Sequence, residues 1–222
     1  MIPIVPYPRL DAARELLRAY GVIVMTGMFT KPEALALRER VLRECPRKSW
    51  VVRETFGLLP RLVLLRRGLF QPVLCIVFRR LGELRNRLAG QPDGWALAGP
   101  EDGWWTDYRF NCYPRGGGHM REHCDAEYVG AEPPGGMVQP LLLLSQPGEH
   151  YYQGGGYARL HGKTYTTDRC IGDVIVYTGA VPHGVKPVDP HSDKGGTQWK
   201  INGRLVAAVT PLRVLDKRAP NG

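Results

Sequence analysis

No two cysteines of this sequence stand in a Cys-x-x-Cys spacing; the five present, at 45, 75, 112, 124 and 170, are odd in number and scattered. That pattern excludes a zinc ribbon and a disulfide framework and fits a reducing cytoplasm. Nowhere does an apolar run reach bilayer length. The most apolar window, Leu62 to Phe78, is broken by Arg66-Arg67 and Gln71-Pro72, so no membrane span is expected. The opening Met1-Ile2-Pro3-Ile4-Val5-Pro6 has neither a basic region nor a sustained apolar run, so no secretory signal is expected. No internal repeat or low-complexity tract stands out. Acidic residues are in deficit: 21 Asp and Glu against 30 Lys and Arg give a net charge of +9. Such an excess suits an anionic partner, nucleic acid or an acidic small molecule. Most of the arginines between 38 and 87, however, are interleaved with leucines in segments that read as helices. That is the pattern of solvated helix faces, and no nucleic-acid partner is expected.

What is present is ordinary in bulk. At 222 residues, with 43% hydrophobic and 23% charged, the chain can bury a real core as one domain. Its 27 glycines and 19 prolines favour many short turns, hence a β-rich region.

Leu10, Ala13, Leu16, Leu17 and Tyr20 recur at helical spacing, which predicts a helix over 9–20 ended by Gly21. Val22 to Met25 reads as a buried strand. Thr30-Lys31-Pro32-Glu33 is a capping box, opening a helix that runs to about Glu44. Leu58 to Leu88 reads as mainly helical with a break near Gln71-Pro72, and its expected role is packing against a sheet rather than a lid or a dimer face. From Trp104 the texture changes to seven or eight short strands separated by turns. They include Tyr108–Tyr113, Pro140–Ser145, Gly156–Leu160, Lys163–Thr167, Val174–Tyr177, Val185–Val188 and Leu205–Thr210. Helices first and strands after predict a single domain over 1–222, in which the helical residues 1–100 pack on a β-sandwich or barrel core over 104–215.

Within the strand region the stretch Asn111 to Asp125 carries the chemistry. His123 and Asp125, two apart on an extended segment, point to one side. An imidazole and a carboxylate are two of the three ligands of a facial iron site. His183 is the third candidate. It lies 60 residues on, after Gly172-Asp173, a strand and the turn Tyr177 to Pro182, at the start of a further strand.

The ordered set resembles the Fe(II)- and 2-oxoglutarate-dependent oxygenase superfamily: Tyr-Pro-x-Gly before His-x-Asp, then Gly-Asp, strand and His, over about Tyr108 to Thr210. The resemblance implies a mainly β fold with N-terminal helices, a double-stranded β-helix (jelly roll, cupin-like). It implies Fe(II) held by His123, Asp125 and His183, with 2-oxoglutarate as cosubstrate and O2 as oxidant. It also implies a basic residue on a late strand for the far carboxylate of 2-oxoglutarate, for which Arg204 is the best match and Lys200 the fallback. Arg204 follows His183 by 21 residues, against about ten in many members, and position 206 is valine where Ser or Thr is usual. The polar insertion 190–196 accounts for the extra length. Asn111 and Tyr113, on the strand leading to the first ligand, are placed to hydrogen-bond the cosubstrate or to tie that strand to its neighbour.

A narrower likeness rests on Tyr-Pro-x-Gly-Gly-Gly, Gln153-Gly154-Gly155 and Val181-Pro182-His183. It is to bacterial oxygenases that hydroxylate or chlorinate free amino acids, lysine in particular. In the chlorinating members Gly or Ala replaces the ligand carboxylate; Asp125 stands here, which implies hydroxylation. The expected activity is therefore oxidation of an unactivated C–H bond of a small molecule, such as a free amino acid or a natural-product intermediate, releasing succinate and CO2. Trp104, Trp105, Arg121, Glu122 and Trp199 are candidate substrate contacts, although packing is the expected role of each tryptophan. Three other readings compete. His119-x-x-Glu122-His123 matches an inverted zinc-peptidase motif, whose chemistry needs a helix. An oxygenase acting on nucleic acid would carry two arginines six apart on the late strand, whereas Arg204 and Arg213 are nine apart. A non-catalytic β-sandwich binding module would hold no iron.

Overall fold

Local signals account for the first elements of the computed structural model, which describes residues 1–44, 51–55, 60–66, 72–126, 132–192 and 202–213. Helix α1 (Leu10–Tyr20) buries Ala13 and Leu17 and ends at Gly21, whose φ of 69° lies in the left-handed region that glycine tolerates. Strand β1 (Ile4–Pro6) precedes it, and β2 (Val22–Thr26) returns beside β1 in parallel. Helix α2 (Lys31–Glu44) opens on the expected capping box. The Thr30 N–H donates to Glu33 Oε2 at 2.7 Å, and the Glu33 N–H donates to Thr30 Oγ1 at 3.3 Å.

The stretch read as helical from Leu58 to Leu88 is divided instead. Strands β3 (Val51–Thr55) and β4 (Pro60–Arg66) form an antiparallel pair, and helix α3 (Pro72–Ala89) begins only at Pro72. An unbroken apolar run such as Leu62–Leu65 fits a helix or a strand equally. The open edge of β5 (Trp104–Pro114) decides it, because β4 pairs with that edge and satisfies its backbone groups.

The remaining strands are β6 (Gly118–His123), β7 (Val138–Leu143), β8 (Gly155–Leu160), β9 (Lys163–Thr166), β10 (Val174–Thr178), β11 (His183–Val188) and β12 (Gly203–Arg213). His161 and Gly162, with φ of 49° and 75°, make the two-residue turn between β8 and β9. The strands build an eight-stranded sheet, in the order β1-β2-β10-β7-β12-β5-β4-β3, and a four-stranded one, β6-β11-β8-β9. The architecture is mainly β with helices toward the N-terminus, as expected, and two such sheets are consistent with a jelly roll.

The period-2 alternation of the large sheet splits the core in two. On one face Phe110, Cys112, Leu142, Val176 and Ala207 meet all three helices, with the Phe78 and Phe110 rings 5.0 Å apart. On the other face Leu141, Leu143, Val206 and Ala208 meet Ala158 and Leu160 of the small sheet. Burial of this apolar surface is the main stabilising term.

Two arginines depart from the solvated faces predicted for them. Arg38 is buried and donates to the Leu144 carbonyl and Ser145 Oγ; Arg85, 1% exposed, donates to Asn86, Thr106 and the Trp95 carbonyl. Each spreads its fork of N–H groups over buried oxygens, and those bonds replace the water that the guanidinium loses on burial. Burial lowers the Arg85 pKa to about 10, against a small opposing effect of Tyr108. Cys112 and Cys170 are free thiols, and among the described residues no helix is long and apolar enough to cross a membrane.

Candidate metal centre

His123 closes β6 and His183 opens β11, and the two are direct partners across that antiparallel pair. Their rings lie 4.4 Å apart, and the His183 ring stacks on Tyr177 of β10 at 4.2 Å. Asp125 does not continue the strand, as the sequence suggested. It sits in a helical turn just past β6, and this brings its carboxylate between the rings. Oδ1 is 3.5 Å from His123 Nε2 and Oδ2 is 3.5 Å from His183 Nε2. The three donor atoms lie within 4.8 Å of one another, the one such His/Cys/Asp/Glu group among the described residues.

The backbone sets the tautomers. His123 Nδ1 is 2.8 Å from the Arg121 carbonyl and His183 Nδ1 is 2.8 Å from the Val181 carbonyl. A carbonyl only accepts, so each Nδ1 carries the proton and donates. Each Nε2 then presents a lone pair toward Asp125. Burial lowers the His183 pKa despite the opposing pull of Asp125, which favours the neutral ring. Burial works to raise the Asp125 pKa. The neighbouring His123 and His183 and the charge of Arg109 outweigh it, and the carboxyl lies below its ordinary value. Asp125 Oδ2 is nonetheless buried without a hydrogen-bond partner among the described residues. Two imidazole lone pairs and an ionised, under-bonded carboxylate oxygen converge here. That donor set fits a divalent metal of intermediate softness, with one face left open.

The cavity beside this cluster is walled by the inner faces of β5 and β12. Along β5, Tyr108, Phe110 and Cys112 turn to the helices, so Asp107, Arg109, Asn111 and Tyr113 turn inward. Arg204 pairs with Tyr113 in the register of β5 and β12, lies over the Tyr113 ring at 5.3 Å, and is 2% exposed. Asp168 holds its Nε–Nη2 edge in a bidentate pair at 2.7 and 2.8 Å. Asp168 also accepts from the Tyr151 hydroxyl at 2.6 Å and from the Gly156 N–H at 2.8 Å. Burial opposes the ionised form of Asp168. The charge of Arg204 and these hydrogen bonds overcome it, so its pKa lies below the ordinary value and Arg204 stays a cation. Asn111, Tyr113 and Arg204 thus line one cavity with His123, Asp125 and His183.

Other sequence candidates lie elsewhere. Trp104 packs with Trp95 and Ala96, as packing predicts, but Trp105 is exposed at 37%. Arg121 and Glu122 line a separate groove on the small sheet, where Glu122 pairs with Arg159 at 2.9 Å. His119 lies on a strand rather than a helix and shares no ligand group with His123, so the zinc-peptidase geometry is not formed. Lys200 and Trp199 lie outside the described residues. Sequence reasoning missed Arg109, Gln139 and Tyr177 on the cavity wall, and Asp168 behind Arg204. Polar residues alternating with aromatics in β5 were a readable signal for Arg109. Nothing local marks Asp168.

No protein-family model and no curated protein matches the sequence. Solved structures match its fold. A prolyl-4-hydroxylase from Pseudomonas putida superposes with a TM-score of 0.65 at 16% identity, covering 92% of this chain and 98% of that one. The non-heme alpha ketoglutarate dependent carbocyclase SnoK from nogalamycin biosynthesis superposes at 0.67 and 10% identity, covering 91% and 84%. The epimerase SnoN in complex with Fe3+, alpha ketoglutarate and nogalamycin RO superposes at 0.60 and 12% identity, covering 96% and 91%. The fold of this chain is therefore the fold of 2-oxoglutarate- and iron-dependent oxygenases.

Proposed function

We propose that the chain is an Fe(II)- and 2-oxoglutarate-dependent oxygenase that hydroxylates a C–H bond of a small molecule. One observation carries the reading. His123, Asp125 and His183 converge within 4.8 Å at a cavity that Arg204 also lines with a fixed positive charge. Likeness to proteins that bind iron and 2-oxoglutarate supports it. In this reading the two sheets are the double-stranded β-helix, and the chain is one domain whose helices back the large sheet.

Iron bound there, with 2-oxoglutarate and O2, supplies the oxidation: the cosubstrate leaves as succinate and CO2 while a substrate C–H becomes C–OH. The residues of the chain do the rest. His123 and His183 offer Nε2, their rings locked by the Nδ1 hydrogen bonds, and Asp125 brings the anion that balances the metal. Arg204 binds the far carboxylate of 2-oxoglutarate through hydrogens not engaged by Asp168, and a guanidinium suits that role because its donors are planar and permanently charged. Asn111, whose Oδ1 has no hydrogen-bond partner among the described residues, and Tyr113 line the path between Arg204 and the metal. Leu141 and Val185 narrow the space and exclude water. The test is succinate formation from 2-oxoglutarate with Fe(II) and ascorbate, run beside Asp125→Ala. Succinate in the wild type and none in the variant supports the reading. If the wild type binds no iron and forms no succinate even without substrate, the reading is wrong, and a non-catalytic binding module takes its place.

A further inference from the structure

Past Asn111 the cavity wall changes character, in a way that neither the metal nor the cosubstrate explains. Arg109 lines it, and its Nη1 donates a 2.7 Å hydrogen bond to Asp107 Oδ2, the one its guanidinium makes among the described residues. The side chains are 18% and 6% exposed, so this is a sheltered ion pair and not a surface one. One hydrogen bond leaves most of the guanidinium's five donors outside the pair. On β12 the residue opposite Arg109 is Ala208 and opposite Asp107 is Thr210, so that strand puts little bulk beside the pair; on β4 the register partner of Arg109 is Arg66. Gln139 of β7 lines the same cavity, is 4% exposed, and buries Oε1 without a hydrogen-bond partner among the described residues. Gln139 is the register partner of Tyr177, the residue on which His183 stacks, which sets it beside the metal cluster. A buried acceptor without a donor and a guanidinium only partly used form a complementary vacancy in hydrogen bonding.

We propose that Arg109, buttressed by Asp107, and Gln139 form the substrate subsite, and that it takes a small carboxylate bearing an adjacent amine, the chemistry of an α-amino acid. The proposal rests on the oxygenase reading above and names the substrate class for that same site. The carboxylate accepts from Arg109 and the amine donates to Gln139 Oε1. Arg204 does not compete for the carboxylate. It faces Tyr113, four residues along β5, a spacing of about 13 Å. Two anions, cosubstrate and substrate, thus have separate cations. Arg109 lines the same cavity as His123, Asp125 and His183, so a molecule anchored on it has its carbon chain in the space beside the metal ligands.

The test uses the full chain loaded with Ni(II), a redox-inert stand-in, and 2-oxoglutarate. L-amino acids, their carboxamides and the matching des-amino acids are the probes, followed by ligand-observed NMR and calorimetry. At least one amino acid is expected to bind tenfold or more tightly than its carboxamide. Arg109→Met should abolish that preference, and Gln139→Leu should abolish the preference for the amino acid over its des-amino analogue. Affinity for 2-oxoglutarate, measured in both variants, should stay within threefold and reports that the fold survives. A wild type that binds 2-oxoglutarate but prefers no carboxylate overturns the subsite, as does an Arg109→Met variant that keeps the preference. A wild type that binds no 2-oxoglutarate overturns the oxygenase reading itself, and the subsite with it.

Discussion

Asp168→Asn is a nearly isosteric change with a large expected cost. Arg204 and Asp168 have side chains only 2% and 1% exposed, so solvent cannot replace what the substitution removes. Asparagine keeps one acceptor but turns an N–H2 against a guanidinium N–H now bonded at 2.7 or 2.8 Å, and leaves Arg204 a buried cation without its counter-charge. Breaking a buried pair from one side costs about 3–5 kcal/mol. In a chain of this length each kcal/mol moves Tm by roughly 2–4 °C, so a fall of roughly 6–20 °C is expected. Urea unfolding and thermal melts at pH 7 measure it. The double variant Asp168→Leu/Arg204→Met removes both charges and should lose less stability than Asp168→Asn alone. The pair also sets a pH dependence. The folded pKa of Asp168 is lowered, so its stabilisation is complete above the unfolded value of about 3.9 and is lost as pH falls through the lower folded value. An Asp168→Asn protein within 1 kcal/mol of wild type, or a double variant less stable than the single one, would refute the buried-clamp reasoning (thresholds of about the scatter expected for surface changes).

Asp125→Ala should abolish iron binding, read by metal analysis after gel filtration, while the melt stays cooperative, because it removes a buried carboxylate whose Oδ2 has no hydrogen-bond partner among the described residues. Gly156→Ala places a Cβ 2.7 Å from both Arg204 Nη2 and Asp168 Oδ1. It should weaken 2-oxoglutarate binding about tenfold or more, the ~1.4 kcal/mol that a displaced guanidinium contact represents, with iron binding retained. Thr30→Ala removes one half of the capping box of α2 and should cost about 1 kcal/mol in urea unfolding.

Much of this protein was legible without coordinates because the signals were local. A capping box at Thr30 to Glu33 and a glycine that ends an amphipathic helix depend on neighbours a few residues away, and each forms as read. His123 and Asp125 were picked out by their spacing of two, and His183 by the Gly172-Asp173, strand and Pro182 before it; the fold brings the three together. Tertiary structure alone decided what depends on register. It made strands of 51–55 and 60–66 because β5 had an open edge. It brought Asp168 to Arg204 across 36 residues, and Gln139 to the wall that Arg109 shares. Buried charges take their partners from wherever the chain returns, because the cost of leaving them unpaired acts through space and leaves no periodic trace along the sequence.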